Sequence, residues 1–261
     1  MNVIDLNAAL LEQTRAFAQL VAGREMTTRV PTTPGWSLAE LVKHVGHGHQ
    51  WSAQIVARRA KDQTLDDYLN TPGASPADYT AESLLDWLPA TAQALVNAVK
   101  EQGTETTVWT FLGPRQAEWW LRRRLHETTV HRADAAIALE ANFELATDLA
   151  ADGISEHLER IATQSGQEIL TPQGPHFFVA PLDEGKALHL ASTDHDARWT
   201  VVRDGTGVAL TERHDSDATE VRGPVTDLLL ILTRRCPIAE TPIRIAGDAA
   251  VLLRFLDRTP Y

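Results

Sequence analysis

One cysteine, Cys236, stands in 261 residues, which excludes an internal disulfide and the cysteine-built classes of structural zinc site. Long apolar stretches are absent too. The longest such run, Leu228 to Leu232, falls far short of the roughly 18 residues of a membrane-spanning helix. Positive charge is scarce, with 24 Lys and Arg against 35 Asp and Glu and a net charge of −11. That balance sets an unfavourable field against a phosphate backbone or an anionic lipid surface, so neither nucleic acid nor membrane is an expected partner. The opening MNVIDLNAALLEQTR has neither the basic start nor the apolar core of a secretory signal, and a cytoplasmic location is expected. Internal repeats and low-complexity tracts are likewise missing. What remains is an ordinary globular composition, 43% hydrophobic and 23% charged, long enough for one large domain or two modest ones.

The first two-thirds read as helices. Leu6, Leu10, Leu11, Phe17 and Leu20 lie near helical spacing, and Gly23 closes a helix over about 4–22. After Pro31-Thr32-Thr33-Pro34-Gly35, Ser37 with Glu40 forms a capping box ahead of a second helix that runs to about Ala60. A looser stretch with Thr71-Pro72-Gly73 and Pro76 leads to a third helix over Thr80 to Val99, with a kink expected at Pro89. Gln116 to Leu139 contains neither proline nor glycine and forms the clearest helix, and Thr147 to Ala162 supplies a fifth. A helical N-terminal domain over 1–166 is expected.

Beyond Ser165-Gly166 the pattern changes. Thr171-Pro172-Gln173-Gly174-Pro175 reads as a linker, and Ala187 to Ser192, Trp199 to Arg203 and Gly207 to Thr211 read as strands of a meander. Val221 leads through Gly223-Pro224 into an apolar helix ending at Arg234-Arg235. Pro242 to Ala246 makes another strand, and Gly247-Asp248 opens a final helix. The expectation is a small α+β domain over 175–261.

The chemistry-bearing residues lie on the fourth helix. Glu127 and His131 are four apart, so they project from one face and can share a metal if a third ligand exists. His44, His47 and His49 on the second helix are the candidates. His44 continues the apolar series Leu38, Leu41, Val45 toward the interior, and His49 reads better as a surface residue. Two His and one Glu make the ligand set of an open, catalytic zinc with its fourth position left for water or substrate. Arg122-Arg123-Arg124 point in three directions around a helix and read as a solvated face without a role. Trp87, Trp109, Trp119 and Trp120 fit a cavity lining and core packing equally well. Asp134, close beyond His131, reads either as an acceptor that orients this ligand or as a surface residue beside Arg132.

Two segments carry a family resemblance. Trp36 to His44 resembles a W-[ST]-x3-L-x2-H opening, and His126-Glu127-Thr128-Thr129-Val130-His131-Arg132-Ala133-Asp134-Ala135 resembles the HE-T-x-V-HR-x-DA helix of the mycothiol-dependent maleylpyruvate isomerase family. The stretch Gly223-Pro224-Val225-Thr226-Asp227-Leu228-Leu229-Leu230, then Arg235 and Gly247-Asp248, is similar to the family's second domain. The resemblance implies a DinB-like four-helix bundle followed by a small α+β domain. It also implies a divalent metal, usually zinc, held by His44, Glu127 and His131. Ala133 replaces a frequent aromatic residue, and Arg234 stands where a glycine is common.

The activity implied is that of a metal-dependent mycothiol S-transferase or isomerase, in which a zinc-activated thiolate attacks a small electrophile. Metal coordination favours the thiolate near neutral pH. With Cys236 beside Pro237 in the other domain, the sulfur is expected from a small thiol, and mycothiol is the family's choice. A thiolate that adds and leaves gives an isomerase; one that stays gives a transferase. A non-catalytic metal or small-molecule-binding protein and a metal-dependent hydrolase are the alternatives. Arg235 matches the second-domain arginine of the family and is the expected catalytic cation for a polar or anionic substrate group. A helix-terminal arginine that complements the helix dipole is the competing explanation.

Overall fold

The computed structural model describes residues 4–62, 67, 75–76, 78–171, 174–212 and 217–259. The expected loose stretch at Thr71-Pro72-Gly73 lies outside them. Two compact units divide the chain between Phe143 and Glu144. In the first, four long helices form, α1 (Leu6–Val21), α2 (Leu38–Ala57), α3 (Ala81–Gln102) and α4 (Glu118–Ala138), together with the short pair β1 (Thr107–Val108) and β2 (Arg115–Gln116).

Local chemistry fixes where these helices start. The Asp5 carboxylate accepts from the Asn7 and Ala8 amides, and the Thr80 hydroxyl accepts from the Ser83 amide. Ser37 and Glu40 close the capping box reciprocally, with the Ser37 amide donating to Glu40 Oε2 at 2.7 Å. α3 continues through Pro89 to Gln102. Helix α1 packs on α3 and α4, and α2 packs on the same two. The apolar seam between them holds Phe17, Leu38, Leu41, Leu84 and Leu88, all fully buried.

Helix α4 departs from amphipathic design. Its buried set includes Arg123, Arg124, His126, Thr128, Thr129, His131 and Asp134. Burying so many polar groups costs free energy unless each is paired, so α4 is the element on which partners must be sought. One pairing ties three helices together. His49, expected at the surface, is fully buried; its Nδ1 lies 3.0 Å from Thr91 Oγ1 of α3 and its Nε2 lies 2.9 Å from Thr128 Oγ1 of α4. Since the Thr91 hydroxyl donates to the Leu88 carbonyl, His49 Nδ1–H donates to Thr91 and Nε2 accepts from Thr128. Small residues lighten α2 in this region. A side chain at Gly46 would collide with the Trp87 ring of α3, and one at Gly48 would meet Arg124 of α4.

The second unit begins earlier than the sequence suggests. Helix α5 (Thr147–Gln164) belongs with the α+β unit rather than the helical one, because Ala150, Ala151, Ile154, Leu158 and Ile161 enter the same core as the strands. Of the expected linker, Thr171, Gly174 and Pro175 belong instead to paired antiparallel strands, β3 (Glu168–Thr171) and β4 (Gly174–Phe177). The main sheet runs β7-β6-β5-β8-β9, from β5 (Ala187–Ser192), β6 (Arg198–Asp204), β7 (Gly207–Thr211), β8 (Thr219–Gly223) and β9 (Arg244–Ala246). The meander accounts for β5 to β7. β8 departs from it by pairing parallel to β5, with Leu190 opposite Val221, which makes β5 the central strand. Helices α6 (Val225–Leu232) and α7 (Ala249–Arg258) complete the layer, and Val225, Leu228, Leu252 and Phe255 pack into its core. Among the described residues no helix is long and apolar enough to cross a membrane.

Two consequences can be measured. Arg234 follows α6 at φ 60°, the left-handed region, while the Arg235 amide reaches back to the Leu230 carbonyl to close the helix end. A β-carbon is unfavourable in that conformation, so Arg234→Gly is expected to be more stable than Arg234→Ala by about 1 kcal/mol in denaturant unfolding, the reverse of their helix-propensity order. The second consequence concerns acid. Burial, with Arg124 adding to it, lowers the His49 pKa from 6.5 to about 3. The unfolded chain therefore takes up that proton first. Stability should fall by about 1.4 kcal/mol per pH unit from near 6.5 down toward 3. His49→Gln, which can donate to Thr91 and accept from Thr128, is expected to flatten this slope in unfolding titrations of the metal-free protein between pH 6.5 and 4.5.

Candidate metal centre

α2 and α4 bring His44, Glu127 and His131 together, with one ligand atom from each lying within 4.8 Å of the other two. His44 Nε2 is 3.0 Å from Glu127 Oε1. The two imidazoles stand edge to face, 5.0 Å between centroids, and the Trp36 ring lies 4.9 Å from His44 and 6.3 Å from His131. A spread of 4.8 Å is closed by small side-chain rotations around one ion with ligand distances of about 2 Å. The donor set of two imidazoles and a carboxylate fits a divalent ion such as zinc.

Two of the three candidate ligands, His131 and Glu127, are held from behind. His131 Nδ1 is 2.8 Å from Asp134 Oδ2, while Asp134 Oδ1 accepts from the Thr32 hydroxyl at 2.5 Å. With Nδ1–H donating to Asp134, the lone pair of His131 sits on Nε2. Burial lowers the His131 pKa, against the pull of the Asp134 hydrogen bond, so the ring is favoured in its neutral, ligating form. Asp134 itself is fully buried, and it takes the orienting part its spacing suggested. Thr32 lies in the Pro-Thr-Thr-Pro-Gly loop and Trp36 directly follows it, and the segment folds back on itself through the Val30 amide to Trp36 carbonyl and Trp36 amide to Thr33 carbonyl bonds. Thr32 went unnoticed in the sequence because it is 102 positions from its partner.

Glu127 is held by cations. Arg124 Nη1 lies 2.8 Å from its Oε2 and Arg123 Nη2 lies 3.4 Å from the same oxygen. Burial pushes the carboxyl pKa up, but Arg124, the His44 hydrogen bond and Arg123 outweigh it, leaving the group well below the usual carboxylate range. The arginine run is therefore not a solvated face. Arg123 and Arg124 are both 6% exposed.

The tryptophans divide. Trp120 is fully buried, meets Trp51 at 5.3 Å and Trp119 at 4.9 Å between centroids, and donates from Nε1 to the Trp109 carbonyl. Trp119 lines a cavity of about 480 Å³ with Arg115 and Arg122. Trp87 fills the dent at Gly46. In the second unit Arg235 is buried, and its guanidinium donates to the Thr233 carbonyl.

Residues 8–136 match the model of the mycothiol maleylpyruvate isomerase N-terminal domain, and residues 148–254 match that of the MDMPI C-terminal domain. No curated protein sequence matches. Two crystal structures, of a mycothiol-dependent maleylpyruvate isomerase and of its histidine-to-alanine mutant, share the fold with a TM-score of 0.58 at 13% identity, over 94% of this chain and 93% of theirs. The matched domains cover both units in order, and the chain belongs to the mycothiol-dependent maleylpyruvate isomerase family of enzymes.

Proposed function

We propose that the protein is a metal-dependent mycothiol isomerase or S-transferase acting on a small conjugated electrophile, with its metal held by His44, Glu127 and His131 in a DinB-like four-helix bundle. The observation that carries this reading is the convergence of three donor atoms within 4.8 Å in a chain of this family. A bound divalent ion supplies the positive charge that lowers a thiol's pKa toward neutrality and leaves the thiolate as nucleophile. His131 offers Nε2 because Asp134 holds the proton at Nδ1, and Asp134 is steadied in turn by Thr32. Glu127 offers Oε1 while the arginines occupy Oε2. The Trp36 ring lies beside both imidazoles.

The reaction then follows ordinary carbon chemistry. Sulfur adds to one carbon of the conjugated double bond, which becomes a single bond and rotates. Loss of the same sulfur restores the double bond in the other geometry and returns the thiol unchanged. If the electrophile carries a leaving group instead, the sulfur stays bound and the outcome is transfer. Arg235 is our candidate for the cation that binds an anionic substrate group, on the strength of its place in the second-domain motif.

The deciding experiment is turnover of maleylpyruvate with and without mycothiol, run beside metal analysis. The expected result is thiol-dependent isomerisation and about one zinc per chain, both abolished in His131→Ala while the helical circular dichroism is kept. Cleavage of the substrate by water without thiol would instead indicate a hydrolase, and zinc retained at full stoichiometry in the variant would overturn the ligand assignment. For Arg235→Ala, zinc content should be unchanged and kcat/KM should fall tenfold or more, the scale of a lost charge-assisted contact of about 1.5–3 kcal/mol. Normal turnover would reduce Arg235 to a helix-end residue.

A further inference from the structure

The metal ligands account for only part of what α2 and α4 bury between them. Arg124 is held on every side. Its Nε donates to Ser52 Oγ at 2.8 Å, and the Ser52 hydroxyl donates to the Gly48 carbonyl at 2.9 Å, so the serine oxygen is turned toward the guanidinium. The Trp51 and Trp120 rings approach its central carbon at 5.8 and 5.2 Å. A β-carbon at position 48 would stand 2.5 Å from Nη1, so this seat exists only because residue 48 is glycine. From it, Nη1 reaches Glu127 Oε2 at 2.8 Å, whereas Oε1 of the same carboxylate faces His44.

We propose that Arg124, seated by Gly48 and Ser52, is a positioning residue that reserves Oε2 of Glu127 and so makes Glu127 a one-oxygen metal ligand, keeping a coordination position open. The inference rests on the metal-site reading above. Its physical content is that a carboxylate can offer both oxygens to one ion, and a second oxygen would take the place a thiol needs. A charge-assisted bond to Oε2 opposes that swing and also draws electron density from the ligand, which leaves the ion the stronger acid. Arg123 touches the same oxygen from 3.4 Å and reinforces the effect. The device spans two helices, with the cation on α4 and its socket on α2.

Cobalt substitution tests this without reference to turnover. In wild type, the visible bands should be those of a four-coordinate site. In Arg124→Met they should weaken as coordination number rises, and zinc affinity measured against a competing chelator should fall by about tenfold or more. Arg124→Lys, which keeps the charge but cannot grip Ser52 and Glu127 together, should lie between. Should Arg124→Met fail to fold, Gly48→Ala decides, since it unseats the guanidinium while leaving every ligand and cation in the chain, and it should move the spectrum in the same direction. A folded Arg124→Met or Gly48→Ala protein with wild-type bands and affinity overturns the proposal while leaving the metal site intact. A wild-type protein that takes up no cobalt overturns the metal reading and this one with it.

Discussion

An ionised carboxylate largely withdrawn from water between two helices, 13% exposed, is the constraint around which the first unit is organised. Taking the charge of Glu127 out of water costs several kcal/mol unless it is compensated, and the compensation has to come from groups that are themselves buried. Arg124 and Arg123 supply it from one turn back on α4, and His44 supplies a hydrogen bond from α2. Those arginines need partners of their own. Ser52, Gly48 and the Trp51 and Trp120 rings are all arranged to receive Arg124. The burial of Arg123 and Arg124 in α4 is thus a consequence of one charged side chain, propagated outward until it reaches aromatic and apolar surface.

The family's helix motif concentrates that cost in a few residues. His131 takes its orientation from Asp134 three residues later, and Asp134 takes its second bond from Thr32 on the loop before α2. The same loop delivers Trp36 and ends in the capping box that starts α2. Site and helix start are consequently one structure, and the position of His44 depends on a cap seven residues away. In the second unit the parallel β5–β8 pair and the apolar faces of α5, α6 and α7 form the core.

Much of this was legible in the sequence where the signal is local. Capping at Ser37, the proline-free length of α4 and the pairing of Glu127 with His131 all follow from spacings of three or four residues. What escaped depends on long-range contact. Periodicity shows α5 to be a helix but not which core its face enters. His49 looks like a surface residue until Thr91 and Thr128 arrive from two other helices to satisfy both ring nitrogens. The arginine run has the composition of a solvated face, and only the tertiary fold shows that two of its three members lie against a carboxylate and a tryptophan cluster. β8 reads as the approach to a helix because its parallel partner lies about thirty residues earlier in the chain.

The two glycines of α2 carry a mechanical meaning. Gly46 admits the Trp87 ring from α3, and Gly48 admits the Arg124 guanidinium from α4, so neighbouring helices engage two dents on successive sides of a single turn. Such an arrangement works as a keyway: α2 can neither roll about its axis nor slide without driving a ring or a guanidinium into its backbone. His44 lies half a turn before the first dent. At a side-chain radius of about 6 Å, a roll of about 10° would move an imidazole by about 1 Å, and errors of that size are enough to spoil a reacting geometry. The empty side-chain positions on α2 thus set the angular tolerance of the imidazole that the helix presents.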